Sequence, residues 1–542
     1  MEASNKSEEE KIKNVARRTI NYLIENPNTP RSKITNLKGK FAKKCGYDRV
    51  IKNATILEYT RAEERKQIIK KLRRRSTRTL SGVSVIAIMT EPLPCPGTCI
   101  YCPGRDSQPG EKVAQSYTGR EPAAMRSIHN HYDPYYQVKS RINDLEAIGH
   151  KIDKIELIIM GGTFLSTDTD YQQKFVKGAL EGVINERFSS LEEAKKYAEN
   201  AERRLVGITI ETRPDYCKET DVDRMLDYGT TRVEIGIQTV FNEVYKYVKR
   251  GHTVQDSKDA IRISKDAGFK VNAHMMPNLP KVNYEQDLQT FKILFEDPDY
   301  RPDMLKIYPT VVVKGTDLYR LWKDGKYQPY DLDELIELIA TAKQNLPKYV
   351  RIQRIMRDIP ATLIEAGCHK SNLRQLVQKR LQELNKTCNC IRCREYGIAK
   401  RRKKIPDSAL NDLKLERMDY RASKGHEVFL SYENKEYDFL VGYLRLRKPS
   451  ELAHRKEFNN GKTMIVREVR IVGELVPKDN KPVRESQMQH RGYGTNLMQE
   501  AEKIAKEDFN CTKISVISGI GVRNWFYELG YQRDGPYVSK SL

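Results

Sequence analysis

CPGTCIYC, residues 95–102, places Cys95, Cys99 and Cys102 at the spacing C-x3-C-x2-C on a Pro- and Gly-rich loop. Three thiolates so spaced can ligate three irons of a cubane 4Fe–4S cluster and leave the fourth iron open. A structural zinc ion wants four protein ligands. No fourth Cys or His lies close by in sequence, so a zinc knuckle here would need a distant residue to complete it. The chain has ten cysteines in 542 residues, and they cluster, which reads as metal or redox ligation rather than a disulfide framework.

Around this loop, short apolar runs alternate with helical patterns. The runs are SVIAIM (84–89), KIELIIM (154–160), LVGITIE (205–211), RVEIGIQ (232–238), FKVNAHM (269–275) and MLKIYP (304–309). FVKGALEGVINERF and SKDAIRISKDAG are two of the intervening helical stretches. Strands alternating with helices predict βαβ units and a parallel sheet. Six units fit a partial (β/α)6 barrel; a full barrel would need two more strands, which the pattern does not display. Ligands of such folds gather at the carboxyl ends of the strands, and the cysteine loop follows the first strand.

Further out the composition shifts. Residues 1–80 carry 22 Lys/Arg against 9 Asp/Glu, over half of the chain's net charge of +23, and their apolar residues recur at helical spacing. Such an excess points to polyphosphate, nucleic acid first. RRRSTRT (73–79) reads as an exposed basic linker. Residues 351–410 hold a second cysteine group, Cys388, Cys390 and Cys393, with Cys368 twenty residues upstream. Four thiolates suit a closed zinc site; His369 is the rival fourth ligand, and a second Fe–S cluster is the alternative reading. The resulting division is a basic helical region (1–80), a barrel (81–350), a zinc-binding connector (351–410) and an α+β domain (411–542). Mean hydropathy is −0.68. No window approaches the ~18 consecutive apolar residues of a membrane span, and MEASNKSEEEKIKN lacks the apolar stretch of a secretory signal. A cytoplasmic protein is the expectation.

The tail runs through long strands, EVFLSYE (427–433), FLVGYLRLR (439–447) and TMIVREVRIVGE (463–474), then QHRGYG (489–494) directly before a helix. Glycines at a helix start let backbone N–H groups cradle a pyrophosphate. With the preceding long strand and the closing YELGY, this resembles the GNAT acetyltransferase fold. The resemblance implies acetyl-CoA bound by the backbone of Glu468, Val469, Arg470 and Ile471 and by the turn at Gln489, Gly492, Tyr493, Gly494 and Thr495. Where many members place a tyrosine acid, this chain has Phe526, with Tyr527 beside it. Either Tyr527 serves from a shifted pose, or ordinary acetyl transfer is not the domain's main task.

The cysteine loop, MGGT at 160–163, ITIETRPD at 208–215 and EIGIQT at 234–239 resemble the radical S-adenosylmethionine (SAM) superfamily. There the open iron chelates the methionine moiety, and backbone at Gly161 and Gly162 would approach it. A basic region, a radical SAM domain, a cysteine connector and a GNAT domain, in that order, resemble the family of Elongator catalytic subunits in its single-chain archaeal or bacterial form. QSYTGREPAAMR, HMMPNLP, RIMRDIP and VISGIGVRN extend the match over essentially the whole chain. The family implies a carboxymethyl group placed on carbon five of the wobble uridine of tRNA. It implies a 5′-deoxyadenosyl radical that takes hydrogen from the acetyl methyl of acetyl-CoA, and a carbon radical that adds to the uracil ring. Lys154 matches a family position that contacts acetyl-CoA. The partner would be a tRNA anticodon stem-loop, with partner subunits or a homodimer left open. A protein lysine acetyltransferase with a structural Fe–S domain and a non-catalytic RNA-binding scaffold are the competing function classes.

Overall fold

The computed structural model describes residues 2–73, 82–104, 113–473 and 491–542. Arg74, Arg75 and Arg78 of the basic linker, and Gln489, lie outside the described residues. The chain forms two compact units: Met1–Ser84 with Val138–Lys154, and Val85–Gln137 with Ile155–Leu542.

The first unit is helical, as its periodicity predicts. Helices Glu2–Glu25, Arg31–Lys44, Asn53–Glu58 and Ala62–Leu72 turn one face inward. Val15, Ile20, Leu23, Ile34, Ile56 and Ile68 are buried together, and most lysines and arginines are left on the outer faces, Lys38 being buried where its ammonium donates to the Ile51 carbonyl at 2.8 Å. Arg17 grips Glu64 with two bonds of 2.8 Å, and that bond from Arg17 holds the Glu64 carboxyl down at about 2. Residues 138–154 join this unit through Arg65, whose guanidinium donates to the Glu146 carbonyl at 3.0 Å. A recruitment so distant in sequence leaves no local signature.

The second unit is built on two seven-stranded sheets. The first contains β1 (Val83–Met89), β2 (Lys154–Met160), β3 (Arg204–Thr212), β4 (Thr230–Gln238), β5 (Lys270–Met275), β6 (Met304–Ile307) and β8 (Arg351–Ile355), in that order across the sheet. The pairings from β3 to β8 are parallel. All six expected strands are present. The correction is β8, which extends the half-barrel to seven strands and which the sequence reading had put inside the connector. Its alternate residues, Arg351 and Gln353, are polar, and that disguised it. Val312–Val313 (β7) and Ile364–Ala366 (β9) make a separate antiparallel pair.

The second sheet contains β10 (Lys414–Ala422), β11 (Gly425–Asn434), β12 (Phe439–Lys448), β13 (Thr463–Ile471), β14 (Lys513–Val516), β15 (Gln532–Asp534) and β16 (Tyr537–Ser541), in the order β10-β11-β12-β13-β14-β16-β15. The helix Tyr493–Glu507 covers it, burying Leu497, Met498, Ala501 and Ile504 against Val428, Leu444 and Val466. This sheet docks on the amino ends of the barrel strands. Arg467 donates to the Phe269 carbonyl at 2.8 Å and Arg445 to the Tyr349 carbonyl at 2.8 Å. Fully buried charges seal the junction: Arg467 bonds both oxygens of Asp303 (2.7 and 2.6 Å) and Glu427 (2.7 Å), and Arg447 bonds Asp266 (2.6 Å) and Glu427 (2.9 Å).

Candidate active site

The cysteine loop lies beyond the carboxyl ends of the strands, at the opposite end of the barrel from the second sheet. Backbone bonds from Ile100 N to Val248 O (3.1 Å) and from Leu318 N to Ile100 O (2.9 Å) pin it. Each thiol has its own polar neighbour. Cys95 Sγ is 3.4 Å from Thr163 Oγ1, Cys102 Sγ is 3.3 Å from Ser116 Oγ, and Cys99 Sγ accepts from Arg250 Nη1 at 3.4 Å. Burial alone would raise the Cys99 thiol, but Arg250 outweighs it and holds the group below its ordinary value. Burial pushes the Cys102 thiol up. The three sulfurs are more widely spread than a single tetrahedral ion would hold them, since they do not all lie within 4.8 Å of one another. Tetrahedral zinc needs its thiolates about 3.8 Å apart, given Zn–S bonds near 2.3 Å. The spread suits ligands to three separate irons of a larger cluster.

The glycine motif at the end of β2 abuts the same loop. Gly161 has φ 115°, and a Cβ there would stand 2.5 Å from Thr90 Oγ1, so only glycine keeps this approach. Gly162 N donates to the Gln115 carbonyl at 3.3 Å. Two further basic groups close the site: Arg213, held by Asp215 at 2.9 and 2.8 Å, and Arg250, which also bonds the Gly236 carbonyl at 2.9 Å. Arg213 Nη1 and both ring nitrogens of His252 are buried without a hydrogen-bond partner among the described residues. Burial first, then Arg250, hold His252 down at about 2, so its ring is neutral.

Below the loop the barrel bore is polar, although barrels of this kind are ordinarily packed with branched apolar side chains. Lys306 on β6 pairs with Glu234 on β4 and, at 3.2 Å, with Glu211 on β3. His274 Nε2 lies 2.8 Å from Glu234 Oε2, and Asn272 Nδ2 donates to Glu234 Oε1 at 3.2 Å and Gln353 Oε1 at 3.0 Å. Tyr117 donates to Glu211 at 3.3 Å. These residues lie in segments whose strand pattern is plain in the sequence, but their own chemistry is not. The available signal was an ionisable side chain at alternate positions of otherwise apolar strands.

On the second sheet, β13 pairs in parallel with β14 only from Thr463 to Val466, while its pairing with β12 continues to Ile471. The two strands therefore part company, and among the described residues the backbone edge of Glu468–Ile471 on that side carries no ladder bonds. Glu468 itself is buried, accepting from Tyr443 and Arg445 at 3.0 Å each; Val469, Arg470 and Ile471 are half-buried. Gly492 caps the helix Tyr493–Glu507 with φ 84° and no side-chain cap. Among the described residues nothing stands within 4 Å of a Cβ built on it, and the helix's first turn begins with Tyr493, Gly494 and Thr495. Lys154 is the first residue of β2. Phe526 is buried in the core of the second sheet. The Tyr527 hydroxyl turns to Glu199 at 3.4 Å, which Arg523 also holds at 2.6 Å.

In the connector, the sulfurs of Cys388, Cys390 and Cys393 lie within 4.8 Å of one another, the convergence that one tetrahedral ion needs. Hydrogen bonds from Cys388 and Cys390 hold the Cys393 thiol well below its ordinary range. The expected fourth thiol is not brought in: Cys368 Sγ faces the Lys370 carbonyl at 3.9 Å. His369 is exposed, its Nδ1 3.3 Å from the Ala361 carbonyl. Lys343 Nζ instead lies 3.2 Å from Cys388 Sγ and 3.8 Å from Cys393 Sγ.

Comparison with known proteins places these features in context. Residues 94–294 match the model of the radical SAM superfamily, and residues 302–383 that of the radical SAM C-terminal domain. The tRNA uridine(34) acetyltransferase of Methanocaldococcus jannaschii is 50% identical over 492 residues, spanning 90% of each chain. Elongator complex protein 3 of Saccharomyces cerevisiae is 44% identical over 518 residues, 94% of this chain and 92% of that one. The structure of an archaeal Elp3 from Methanocaldococcus infernus, truncated at its N-terminus, superimposes with a TM-score of 0.76 at 45% identity, covering 86% of this chain and all of that one.

Proposed function

Because the chain belongs to the family of tRNA uridine(34) acetyltransferases and Elongator complex protein 3, we propose that it modifies the wobble uridine of tRNA, joining a carboxymethyl group drawn from acetyl-CoA to carbon five of the base. The observation that carries this reading is the pairing of two sites in one unit. A three-thiol loop crowns the carboxyl ends of a parallel half-barrel, and a sheet with a splayed strand and a glycine-capped helix docks on the amino ends.

Cys95, Cys99 and Cys102 would hold a 4Fe–4S cluster, which together with S-adenosylmethionine supplies one-electron chemistry able to functionalise an unactivated ring carbon. The chain's own contribution is placement and shielding. Arg250 stabilises Cys99 as a thiolate, and backbone at Gly161 and Gly162 leaves room beside Cys95. Ile100, Val244, Val248, Met276, Leu279 and Val312 pack under the loop and keep water out. On the second sheet, the N–H groups after Gly492 would hold the pyrophosphate of acetyl-CoA, and the free edge of Glu468–Ile471 would pair with its pantetheine arm. Cys388, Cys390 and Cys393 would supply three ligands of a structural zinc ion that braces the connector. Tyr527, bonded to Glu199, braces the junction, so the reading does not need it as an acid.

The test is isotopic. Cluster-reconstituted protein given tRNA, S-adenosylmethionine and acetyl-CoA deuterated in its methyl group should release deuterated 5′-deoxyadenosine. Release of only unlabelled 5′-deoxyadenosine would refute acetyl-CoA as the source of the transferred carbon.

A further inference from the structure

Two carboxylates and an imidazole, those of Glu211, Glu234 and His274, converge in the bore with ligand atoms within 4.8 Å of one another. That set would suit a divalent cation, but the Lys306 ammonium already stands among them, bonded to both carboxylates. The cluster is thus a fixed array of donors and acceptors. It is graded in depth: side-chain exposure is 0% for Glu234, 9% for Lys306, 11% for His274 and 19% for Glu211. Glu234 is the buried anchor, and the other three form a floor that faces the cysteine-loop end. Glu234 turns one oxygen to Asn272 and, at 3.4 Å, to Arg232, and the other to His274 and Lys306. Lys306 uses two of its three N–H bonds on these carboxylates. The amide of Asn272, 0% exposed, keeps its Oδ1 without a partner among the described residues. Two aromatic rings flank the floor: Tyr308, 5.4 Å from His274, and Tyr117, bonded to Glu211. Rigid polar groups at the base of a site, with aromatic rings beside them, are how proteins read a base taken out of its stack.

We propose that Lys306 and Glu211, oriented by Glu234 and His274, read the imide edge of the target uracil. This rests on the reading of the protein as a wobble-uridine enzyme. Uracil presents a carbonyl beside an N–H on that edge; Lys306 offers a donor beside the acceptor of Glu211. Cytosine presents the reverse, an amino donor beside a ring-nitrogen acceptor, and would set donor against donor and acceptor against acceptor. The floor therefore selects by rejecting the wrong base as well as by fitting the right one. Lys306 and Glu211 touch the base; Glu234 and His274 are positioning residues.

The test is a binding measurement on cluster-reconstituted full chain. Two anticodon stem-loops, identical except for uridine or cytidine at the wobble position, are titrated into wild type, Glu211→Gln and Lys306→Met. S-adenosylmethionine affinity and melting temperature are measured on the same samples. Wild type should prefer uridine by on the order of tenfold, the scale of one good two-point base contact. Each variant should lose that preference while keeping its affinity for the cytidine stem-loop, which phosphate contacts set, and its S-adenosylmethionine affinity. Glu211→Asp, which keeps the charge, should retain part of the preference and serves if Lys306→Met melts early. Unchanged preference in folded variants overturns the proposal. So does a fall in S-adenosylmethionine affinity with the preference intact, since the floor would then serve that molecule. If wild type forms no modified uridine at all, the functional reading fails instead, a result the stem-loop titration of variants does not mimic.

Discussion

Arg467→Met should destabilise both halves of the second unit at once. Arg467 is fully buried and bonds Asp303 and Glu427, whose side chains are 0% and 1% exposed. Removing its charge leaves Asp303 without its two-pronged partner, while Glu427 keeps Arg447 at 2.9 Å. Breaking a buried pair in this way costs about 3–5 kcal/mol. Lys265 stands 3.6 Å from Asp303 and 3.5 Å from Glu427, and Arg445 3.7 Å from Asp303, so some compensation remains and the lower end, about 3 kcal/mol, is the expectation. The chain has two tryptophans: Trp322 packs with the cysteine-loop cluster, and Trp525 with the core of the second sheet. Single-tryptophan variants in guanidinium therefore report each half separately. In the parent their transitions should coincide, and Arg467→Met should lower both midpoints equally. Adding Asp303→Asn should recover at least about 1 kcal/mol, because one stranded charge is gone while the Val271 N–H keeps its acceptor. Transitions that separate in the parent, or a loss below about 1 kcal/mol, would refute the view that this network makes barrel and sheet one cooperative body.

Gly492→Leu should weaken acetyl-CoA binding at least tenfold by calorimetry, since φ 84° strains any L side chain and the leucine would fill the approach to the helix start; normal binding would remove the pyrophosphate assignment. Burial pushes the Asp287 carboxyl up to about 7, against the bonds it accepts from Asn278 and Tyr330. Its stabilising share is full below about pH 4, its unfolded range, and is lost as pH rises to 7. Asp287→Asn should accordingly gain melting temperature relative to wild type between pH 4 and 7 and level off above; a pH-independent difference would contradict this. Cys390→Ala should cut bound zinc by elemental analysis and lower the melting temperature, because metal binding and folding are coupled. In the first unit, replacing the exposed Lys33, Lys40, Lys43 and Lys44 with Gln should lessen the slope of log affinity for tRNA against log salt by about 3; an unchanged slope would clear that face of phosphate contacts.

Much of this architecture was legible before the structure. The six apolar runs became β1 to β6; β4, β5 and β6 are buried on both faces and read as near-continuous apolar segments. The cysteine loop and the Gly492 turn were legible because their chemistry depends on local spacing. What escaped depends on contacts distant in sequence. Arg351 and Gln353 made β8 look like a connector, whereas their polarity marks the bore side and the junction. The tail strands β10 and β15 escaped because more than half of their residues are exposed, and β16 because it is a five-residue strand whose pattern is half polar. Lys306, Glu211 and Glu234 gain meaning only when parallel strands bring them level. Cys368 is spaced to join Cys388, Cys390 and Cys393, and its sulfur lies at the Lys370 carbonyl, 3.9 Å away, outside their group.

The most direct test of the whole account is nucleoside mass spectrometry of tRNA incubated with reconstituted protein, S-adenosylmethionine, acetyl-CoA and a reductant. The account predicts 5-carboxymethyluridine at the wobble position, absent when either small molecule is withheld and absent from protein carrying Ala at Cys95, Cys99 and Cys102. Unmodified tRNA from fully loaded wild type, or undiminished product from the triple variant, would contradict it.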